Sequence, residues 1–202
     1  MIKNIVFDMG GVLTGYEAMR VCEHFIMDRQ DREQVCTAVF VSPEWLLLDM
    51  GVLTDEQALV RMCARLPKRL HEAAGLCLEH WHEHCLWTYP EMKPVVQELK
   101  ALGFGIYLCS NASVRMLACY QQALPAVDCF DGILFSGTEK CIKPQREIYE
   151  RLFDRFKLNP AECYFIDDQQ LNIDAGKACG MDGYCFNDGD FEKLKQVLFS
   201  LK

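Results

Sequence analysis

The sequence predicts an α/β fold, a doubly wound parallel sheet with a small group of helices inserted after its first strand. From about residue 88 onward, short apolar runs of strand length alternate with helical stretches and short loops. This alternation is typical of a parallel sheet with helices on both faces. In residues 16–87, apolar residues instead recur at helical spacing, and no strand is predicted there.

The individual elements follow from apolar runs and from the glycines that interrupt them. The first strand is predicted for residues 2–7, because this β-branched run stops at the turn Gly10-Gly11. Later strands are predicted for residues 104–109, 133–135, 163–166 and 183–186. Helices are predicted for residues 91–102, 113–123, 145–157, 170–179 and 190–200. The chain is thereby divided into a core of residues 1–14 and 88–202 and a helical cap of residues 15–87.

Composition and charge limit the class of protein. Hydrophobic residues make up 50% of the 202 residues and charged residues 25%, so the chain can bury a core. The net charge of −8 argues against nucleic acid or a membrane surface as a partner, because both attract clustered Lys and Arg. No apolar run has the length of a membrane span, and no apolar leader precedes the first strand. We expect a cytoplasmic protein, either a monomer or a weak homodimer.

The twelve cysteines form no C-x-x-C pair, which argues against a zinc knuckle or a thioredoxin-type site. Most stand among apolar neighbours, as Cys109 and Cys185 do. We therefore predict reduced, buried thiols rather than the disulfide framework of a secreted protein.

Polar side chains follow four of the predicted strands or the loops beyond them: Asp8, Ser110-Asn111, Lys143 and Asp167-Asp168. Taken singly, each has an ordinary explanation as a turn residue, a helix cap or a surface charge. Because ligands of open parallel sheets bind at the carboxyl ends of the strands, the four groups together predict one binding site.

The residue types at this edge suit phosphate chemistry. Asp8, Asp167 and Asp168 offer the oxygen ligands that Mg²⁺ prefers. Ser110 can donate a hydrogen bond to a phosphate oxygen, and Lys143 supplies a positive charge for the transferring group. Asp8 is then placed to attack phosphorus and form an aspartyl-phosphate, which water hydrolyses.

In order along the chain, the segments Phe7–Leu13, Ser110-Asn111, Lys143-Pro144 and Ile166–Ile173 resemble the four motifs of the haloacid dehalogenase-like (HAD) hydrolase superfamily. The resemblance spans nearly the whole chain and implies a Rossmann-like core, a mobile helical cap and Mg²⁺. Within the superfamily, the chain looks most similar to capped phosphatases of sugar phosphates, such as glucose-1-phosphate phosphatase. A small phosphorylated metabolite is the implied substrate.

The resemblance also implies the roles of single residues. Asp8 is the implied nucleophile, and the backbone carbonyl of Gly10 and the Asp168 carboxylate are implied metal ligands beside Asp8, with Asp167 in the same acidic pair. Ser110, with Asn111 beside it, and Lys143 are implied phosphate contacts. Lys143 is preferred to Lys140 because Pro144 follows it and is expected to open a helix, as in the family.

Position 10 departs from the family pattern, which usually has a second Asp there that protonates the leaving group. A general acid contributes about 10²–10⁴ in rate. We therefore expect substrates with good leaving groups, such as a sugar 1-phosphate, unless the cap supplies a donor, for which His24, Glu17 and Asp49 are candidates. Two other functions stay open: a haloacid dehalogenase, which the acidic pair Asp167-Asp168 disfavours, and a phosphometabolite-binding protein without turnover.

The cap contains two further candidate groups. Trp45 and Asp49 lie in a stretch that faces the substrate in similar proteins, although Trp45 is equally suited to the core of the cap. His80, His82 and His84 invite a metal site, but His82 falls on a different helix face from the other two, so a polar helix surface is the preferred interpretation.

Overall fold

The computed structural model describes residues 1–201, and Lys202, the last residue of the predicted core, lies outside them. The strands of the described chain are β1 (Asn4–Phe7), β2 (Thr14–Tyr16), β3 (Leu86–Thr88), β4 (Gly105–Ser110), β5 (Gly132–Phe135), β6 (Cys163–Asp167) and β7 (Asp182–Cys185). Five of them form a parallel sheet in the order β5-β4-β1-β6-β7. The predicted α/β fold with a parallel sheet is therefore confirmed.

The first six helices are α1 (Met19–Phe25), α2 (Arg29–Phe40), α3 (Pro43–Asp49), α4 (Asp55–Cys63), α5 (His71–His84) and α6 (Met92–Ala101). The remaining five are α7 (Met116–Ala123), α8 (Ser136–Glu139), α9 (Arg146–Phe156), α10 (Gln170–Ala178) and α11 (Phe191–Phe199). Short 3₁₀ turns cover Lys68–Leu70, Val127–Cys129 and Pro160–Glu162.

Both faces of the sheet are buried, which explains why its strands are almost continuously apolar. On β1, Ile5 and Phe7 pack into one hydrophobic cluster with α6, α7 and α11, whereas Val6 packs into another with α9 and α10. The chain builds the sheet outward from β1 in one direction and then returns to build it in the other. The carboxyl end of β1 is thus the point where strand order reverses, and ligands of such sheets bind there.

The stretch between the first strand and the rest of the sheet contains α1 to α5, but it is not purely helical. β2 and β3 pair in antiparallel register, with Thr14 opposite Thr88 and Tyr16 opposite Leu86. The prediction of no strand in residues 16–87 is therefore wrong at both ends of that range. Strands of three residues are too short to show an alternating pattern, and their pairing is a long-range contact. The predicted cap boundaries, residues 15 and 87, fall within β2 and β3. The division into core and cap stays a prediction.

One predicted helix start is also displaced. Pro144 was expected to open a helix, but α9 begins at Arg146, and Gln145 before it has an extended backbone. The backbone N–H and carbonyl of Lys143 both bond to Asn111, so the chain is held in a loop here before it turns into the helix.

The twelve cysteines are all unpaired; half are buried and half partly buried, in agreement with the predicted reduced thiols. In residues 1–201, no helix combines the length and the apolar character that crossing a bilayer requires.

Candidate active site

Three charged side chains meet at the carboxyl end of β1. The ammonium nitrogen of Lys143 lies 2.8 Å from Oδ1 of Asp8 and 2.7 Å from Oδ2 of Asp167. β1 and β6 are neighbours, and Phe7 pairs with Ile166, so the two aspartates emerge side by side. Lys143 is only 3% exposed, and a charge so buried is tolerated only when it is paired. The predicted meeting of these residues is therefore present in the structure.

Asp8 is held in a form suited to act as a nucleophile. The backbone N–H of Met9 donates to its Oδ1 at 2.7 Å. Burial raises the pKa of Asp8 to about 6, although Lys143 acts in the opposite direction. Burial alone would lower the pKa of Lys143, but the charges of Asp8 and Asp167 outweigh it and raise that pKa above its usual value. At neutral pH the pair is therefore a carboxylate beside an ammonium.

Asp167 is fully engaged by neighbouring donors. The side-chain amide of Asn172 donates to both of its oxygens, at 3.0 and 3.1 Å, and the backbone N–H of Gln169 donates to Oδ1 at 2.8 Å. Together with Lys143, these donors fix the carboxylate in place. Asn172 was not singled out from the sequence; its position in the first turn of α10, directly after the acidic pair, is the signal that would have found it.

Asn111 and Ser110 follow β4 on the other side of β1. The amide of Asn111 accepts from the backbone N–H of Lys143 at 2.8 Å and donates to its carbonyl at 2.9 Å. Both ends of the Asn111 side chain are thus engaged by the lysine backbone. Ser110 is buried, and its hydroxyl lies close enough to Asp8 to act on the pKa of that carboxyl in the lowering direction.

A group of carboxylates suited to a metal ion stands at the same place. One oxygen each from Asp8, Asp167 and Asp168 lie within 4.8 Å of one another, and no other such group of three ligands occurs in residues 1–201. Hard oxygen donors in this number fit Mg²⁺. Gly11 leaves room for Asp168, since it has a φ of 73° and a Cβ there would lie 2.8 Å from the Asp168 carboxyl carbon.

The histidine cluster has other partners. Nδ1 of His80 lies 3.1 Å from Oε1 of Glu83, and the ring of His84 stacks on that of His24 with centroids 3.9 Å apart. These contacts agree with the polar helix surface that the sequence favoured.

A cavity of about 440 Å³ opens over the carboxylates. Of the polar side chains predicted at the strand ends, Asp167 does not line the cavity, whereas Asp8, Ser110, Asn111, Lys143 and Asp168 do, together with Gly10. Its opposite wall comes from the inserted segment and from the chain that follows it: Tyr16, Trp45, Asp49, Trp81, Trp87 and Tyr89. Trp45 meets both predictions, because it lines the cavity and also packs on Phe40, with ring centroids 4.9 Å apart. Of the aromatic residues in this wall, the sequence indicated Trp45 alone.

Asp49 is the candidate proton donor that the fold brings to the cavity; among the described residues that line it, neither His24 nor Glu17 appears. Burial raises the pKa of Asp49 to about 7, with the backbone N–H of Ser113 acting in the opposite direction. The hydroxyl of Ser136 donates to the backbone carbonyl of Asp49 at 2.5 Å and anchors the end of α3 to the core.

Position 10 is open space. A Cβ built on Gly10 meets no atom within 4 Å, and the residue lacks the positive φ that requires glycine at position 11. Neither packing nor backbone geometry accounts for glycine at this position.

Comparison with known proteins shows similarity over almost the entire chain. A family model described as haloacid dehalogenase-like hydrolase matches residues 2–180. A sesquiterpene phosphatase of Aspergillus oryzae is 26% identical over 186 residues, which is 92% of this chain and 90% of that protein. The D-ribitol-5-phosphate phosphatase of Bacteroides thetaiotaomicron is 25% identical over 198 residues and is covered to 91%, as is this chain.

A solved structure shows the same fold. The HAD family enzyme from Bacteroides thetaiotaomicron, in complex with magnesium and inorganic phosphate, superposes with a TM-score of 0.69 at 21% identity, over 92% of this chain and 94% of its own. The prediction that the chain is an enzyme, a HAD-like hydrolase with phosphatase relatives, is confirmed. The predicted special likeness to glucose-1-phosphate phosphatase stays a prediction. From the family match over residues 2–180, the chain belongs to the haloacid dehalogenase-like hydrolases.

Proposed function

We propose that this protein is a Mg²⁺-dependent phosphomonoesterase that acts on a small phosphorylated metabolite through an aspartyl-phosphate on Asp8. The observation that carries the proposal is the position of Asp8, buried at the end of β1 with the Lys143 ammonium 2.8 Å away and the Asp168 carboxylate beside it. A nucleophile, a fixed positive charge and an acidic metal site in one cavity are the parts that phosphoryl transfer requires.

In the first step, an oxygen of Asp8 attacks phosphorus, and the bond from phosphorus to the alcohol oxygen breaks. Lys143 faces the negative charge of the transferring group, and Ser110 donates to a phosphate oxygen. In the second step, water attacks the aspartyl-phosphate, which releases inorganic phosphate and restores the Asp8 carboxylate. Asn111 keeps Lys143 in position through its two bonds to the lysine backbone.

Asp8, the carbonyl of Gly10 and Asp168 would hold the Mg²⁺. The ion supplies positive charge that offsets the repulsion between the Asp8 carboxylate and the anionic substrate. We assign Asp167 a different part within the acidic group, because its oxygens already accept from Lys143, Asn172 and Gln169. Asp167 orients the lysine, and Asp168 is the ligand.

Asp49 supplies the proton that a second aspartate at position 10 would otherwise give. Its pKa of about 7 leaves a substantial protonated fraction at neutral pH, as a general acid requires. It donates that proton to the leaving alcohol in the first step and takes one from the attacking water in the second. With this donor, the enzyme does not depend on good leaving groups.

The test is Mg²⁺-dependent release of inorganic phosphate from a panel that includes sugar, polyol and isoprenoid monophosphates, since the relatives are named for a polyol phosphate and for sesquiterpenes. We expect turnover that EDTA removes and Mg²⁺ restores. Asp8→Asn should abolish it while the melting temperature shows that the protein is still folded. Halide release from 2-haloacids without metal would instead identify a dehalogenase. Tight phosphate binding without turnover of any ester would identify a non-catalytic binding protein.

A further inference from the structure

The three tryptophans of the chain, Trp45, Trp81 and Trp87, all line the cavity above Asp8. Trp45 and Trp81 meet edge to face, with ring centroids 5.2 Å apart, and Trp81 is buried. Tyr16 lies 6.1 Å from Trp81 and 6.4 Å from Trp45, measured between ring centroids. These rings support one another, so the wall they form is rigid.

Trp87 is fixed although its side chain reaches solvent. It pairs with Gly15 across the two-stranded sheet, and a Cβ on Gly15 would lie 2.1 Å from the indole. The Arg20 guanidinium sits 4.9 Å from the centre of the same ring. The indole is therefore packed closely against the glycine, and 38% of the residue is exposed. The part of the side chain that remains exposed is held in place by these contacts, so contact with a partner costs little side-chain entropy.

The charges around this wall restrict what can bind against it. Among the described residues that line the cavity, Lys143 is the only Lys or Arg, and it is already paired with Asp8 and Asp167. The carboxyl of Asp49 lies on the aromatic side. A second anionic group on the substrate would find no unpaired cation among these lining residues, and Arg20, which contacts Trp87, is not one of them.

We infer that the surface formed by Tyr16, Trp45, Trp81 and Trp87 is a subsite for the alcohol portion of the substrate, and that this portion is uncharged and apolar, either aromatic or unsaturated. The inference rests on the proposed function, because the phosphate is placed at Asp8 and Lys143. The cavity of about 440 Å³ is continuous from those residues to the indoles, so one molecule spans both. Stacking on the indoles supplies affinity that hydroxyl groups of a polyol do not gain from an apolar wall.

Two matched esters test the inference: 2-naphthylmethyl phosphate and glycerol 3-phosphate. Both release a primary alcohol, so they make similar demands on proton donation and differ mainly in the body that meets the wall. With Mg²⁺ present, we expect kcat/KM to be at least about tenfold higher for the naphthylmethyl ester, mostly through KM, which corresponds to about 1.4 kcal/mol. Equal kcat/KM values for the two esters would overturn the inference.

Two variants address the wall itself. Trp87→Ala removes the indole, and Gly15→Ala displaces it without removing it; each should lower kcat/KM about tenfold for the naphthylmethyl ester and less than twofold for glycerol 3-phosphate. Trp87→Phe should retain most of the preference. Melting temperatures identify any variant that has lost its fold. An equal loss for both esters in folded Trp87→Ala and Gly15→Ala would contradict a recognition role.

A binding measurement separates this inference from the proposed function. Calorimetry with 2-(2-naphthyl)ethylphosphonate and 3,4-dihydroxybutylphosphonate, in which a CH2 group replaces the ester oxygen and prevents hydrolysis, reports the subsite without turnover. Preferential binding of the naphthyl compound, weakened by Trp87→Ala, supports the subsite even if no ester is turned over, and in that case only the proposed function fails. Binding without preference between the two phosphonates overturns the subsite even if both esters are hydrolysed.

Discussion

Asn111 holds the backbone of Lys143 from both sides, accepting from its N–H at 2.8 Å and donating to its carbonyl at 2.9 Å. The catalytic lysine of the proposed mechanism stands in the loop before α9 rather than on a strand, so its position depends on contacts with another loop. Asn111 makes these contacts from the end of β4, one residue after Ser110. Two loops that are 32 residues apart in sequence thereby act as one rigid unit.

Replacing Asn111 with Ala should lower kcat/KM for any phosphomonoester substrate by about tenfold to 100-fold. The change removes two partly buried hydrogen bonds, each contributing about 1 kcal/mol, and loosens Lys143. Steady-state kinetics on the best ester of the panel measure the effect. Asn111→Asp can still accept from the Lys143 N–H, but it places a carboxylate oxygen against the Lys143 carbonyl and adds a negative charge beside the phosphate site, so its activity should be no higher than that of Asn111→Ala. Wild-type kinetics in folded Asn111→Ala would refute a positioning role.

The two adjacent aspartates should respond differently to conversion into asparagine. Asp168→Asn should raise the Mg²⁺ concentration for half-maximal activity by at least about tenfold, because a charged ligand is lost. Asp167→Asn should instead destabilise the protein by about 3 kcal/mol, because it leaves Lys143 with one carboxylate in a buried site. Magnesium titrations and urea unfolding distinguish the two effects. A larger shift in Mg²⁺ dependence for Asp167→Asn would reverse the assignment.

Asp49→Asn should reveal proton donation through its dependence on the leaving group. For alkyl phosphates we expect kcat/KM to fall by about 10²–10³, as is usual for loss of a general acid. For 4-nitrophenyl phosphate the loss should stay within about threefold, since 4-nitrophenolate leaves without a proton. Because kcat/KM reports only the steps up to loss of the alcohol, slow water attack does not disturb the comparison. An equal loss for both ester types would point to a structural effect.

The pH dependence of kcat/KM should also reveal proton donation by Asp49. Burial raises the pKa of Asp49 to about 7. Because the Asp8 nucleophile must be deprotonated, kcat/KM for an alkyl phosphate should fall below about pH 6. Since donation needs the protonated form of Asp49, kcat/KM should also decline as pH rises above about 7. In Asp49→Asn that decline should be absent, whereas any titration of the substrate phosphate remains and serves as an internal reference. The same basic limb in both proteins would assign it to another group.

Gly10→Asp should restore the general acid that the family usually has at position 10. A Cβ at this position meets no atom within 4 Å, and the backbone there has no positive φ, so the new side chain should be accepted with little loss of stability. In the Asp49→Asn background, it should recover at least about tenfold of the lost activity on alkyl phosphates. Gly10→Asn is the matched control, with nearly the same shape and no acid, and it should recover nothing. Recovery by both variants would indicate a steric effect.

The sheet and its catalytic edge could be read from the sequence because their determinants are local. Strands covered on both faces leave apolar runs such as the one before Asp8, and the polar residue at the end of each run marks the carboxyl edge. The position of Gly103 and Gly180 after two predicted helices also matched the structure, where both have positive φ.

The remaining features arise from contacts that no local pattern encodes. β2 and β3 are three residues each and exist because they pair across an inserted segment. The aromatic wall collects Tyr16, Trp45 and Trp87 from three distant parts of the chain. The raised pKa of Asp49 depends on burial by the folded protein, so the sequence could offer it only as one of several proton donors.

The two-stranded sheet of β2 and β3 relates the opening of the cavity to the aromatic surface inferred to contact the substrate. The covalent connections of α1 to α5 to the rest of the chain are β2 and β3, and these strands carry Tyr16 and Trp87. A swing of these helices that widened the mouth of the cavity would have to break the hydrogen bond from Ser136 to the carbonyl of Asp49, and it would move Tyr16 and Trp87. In the inferred subsite, opening the cavity in this way would also remove the rings that contact the alcohol portion, so product release and loss of recognition would occur together.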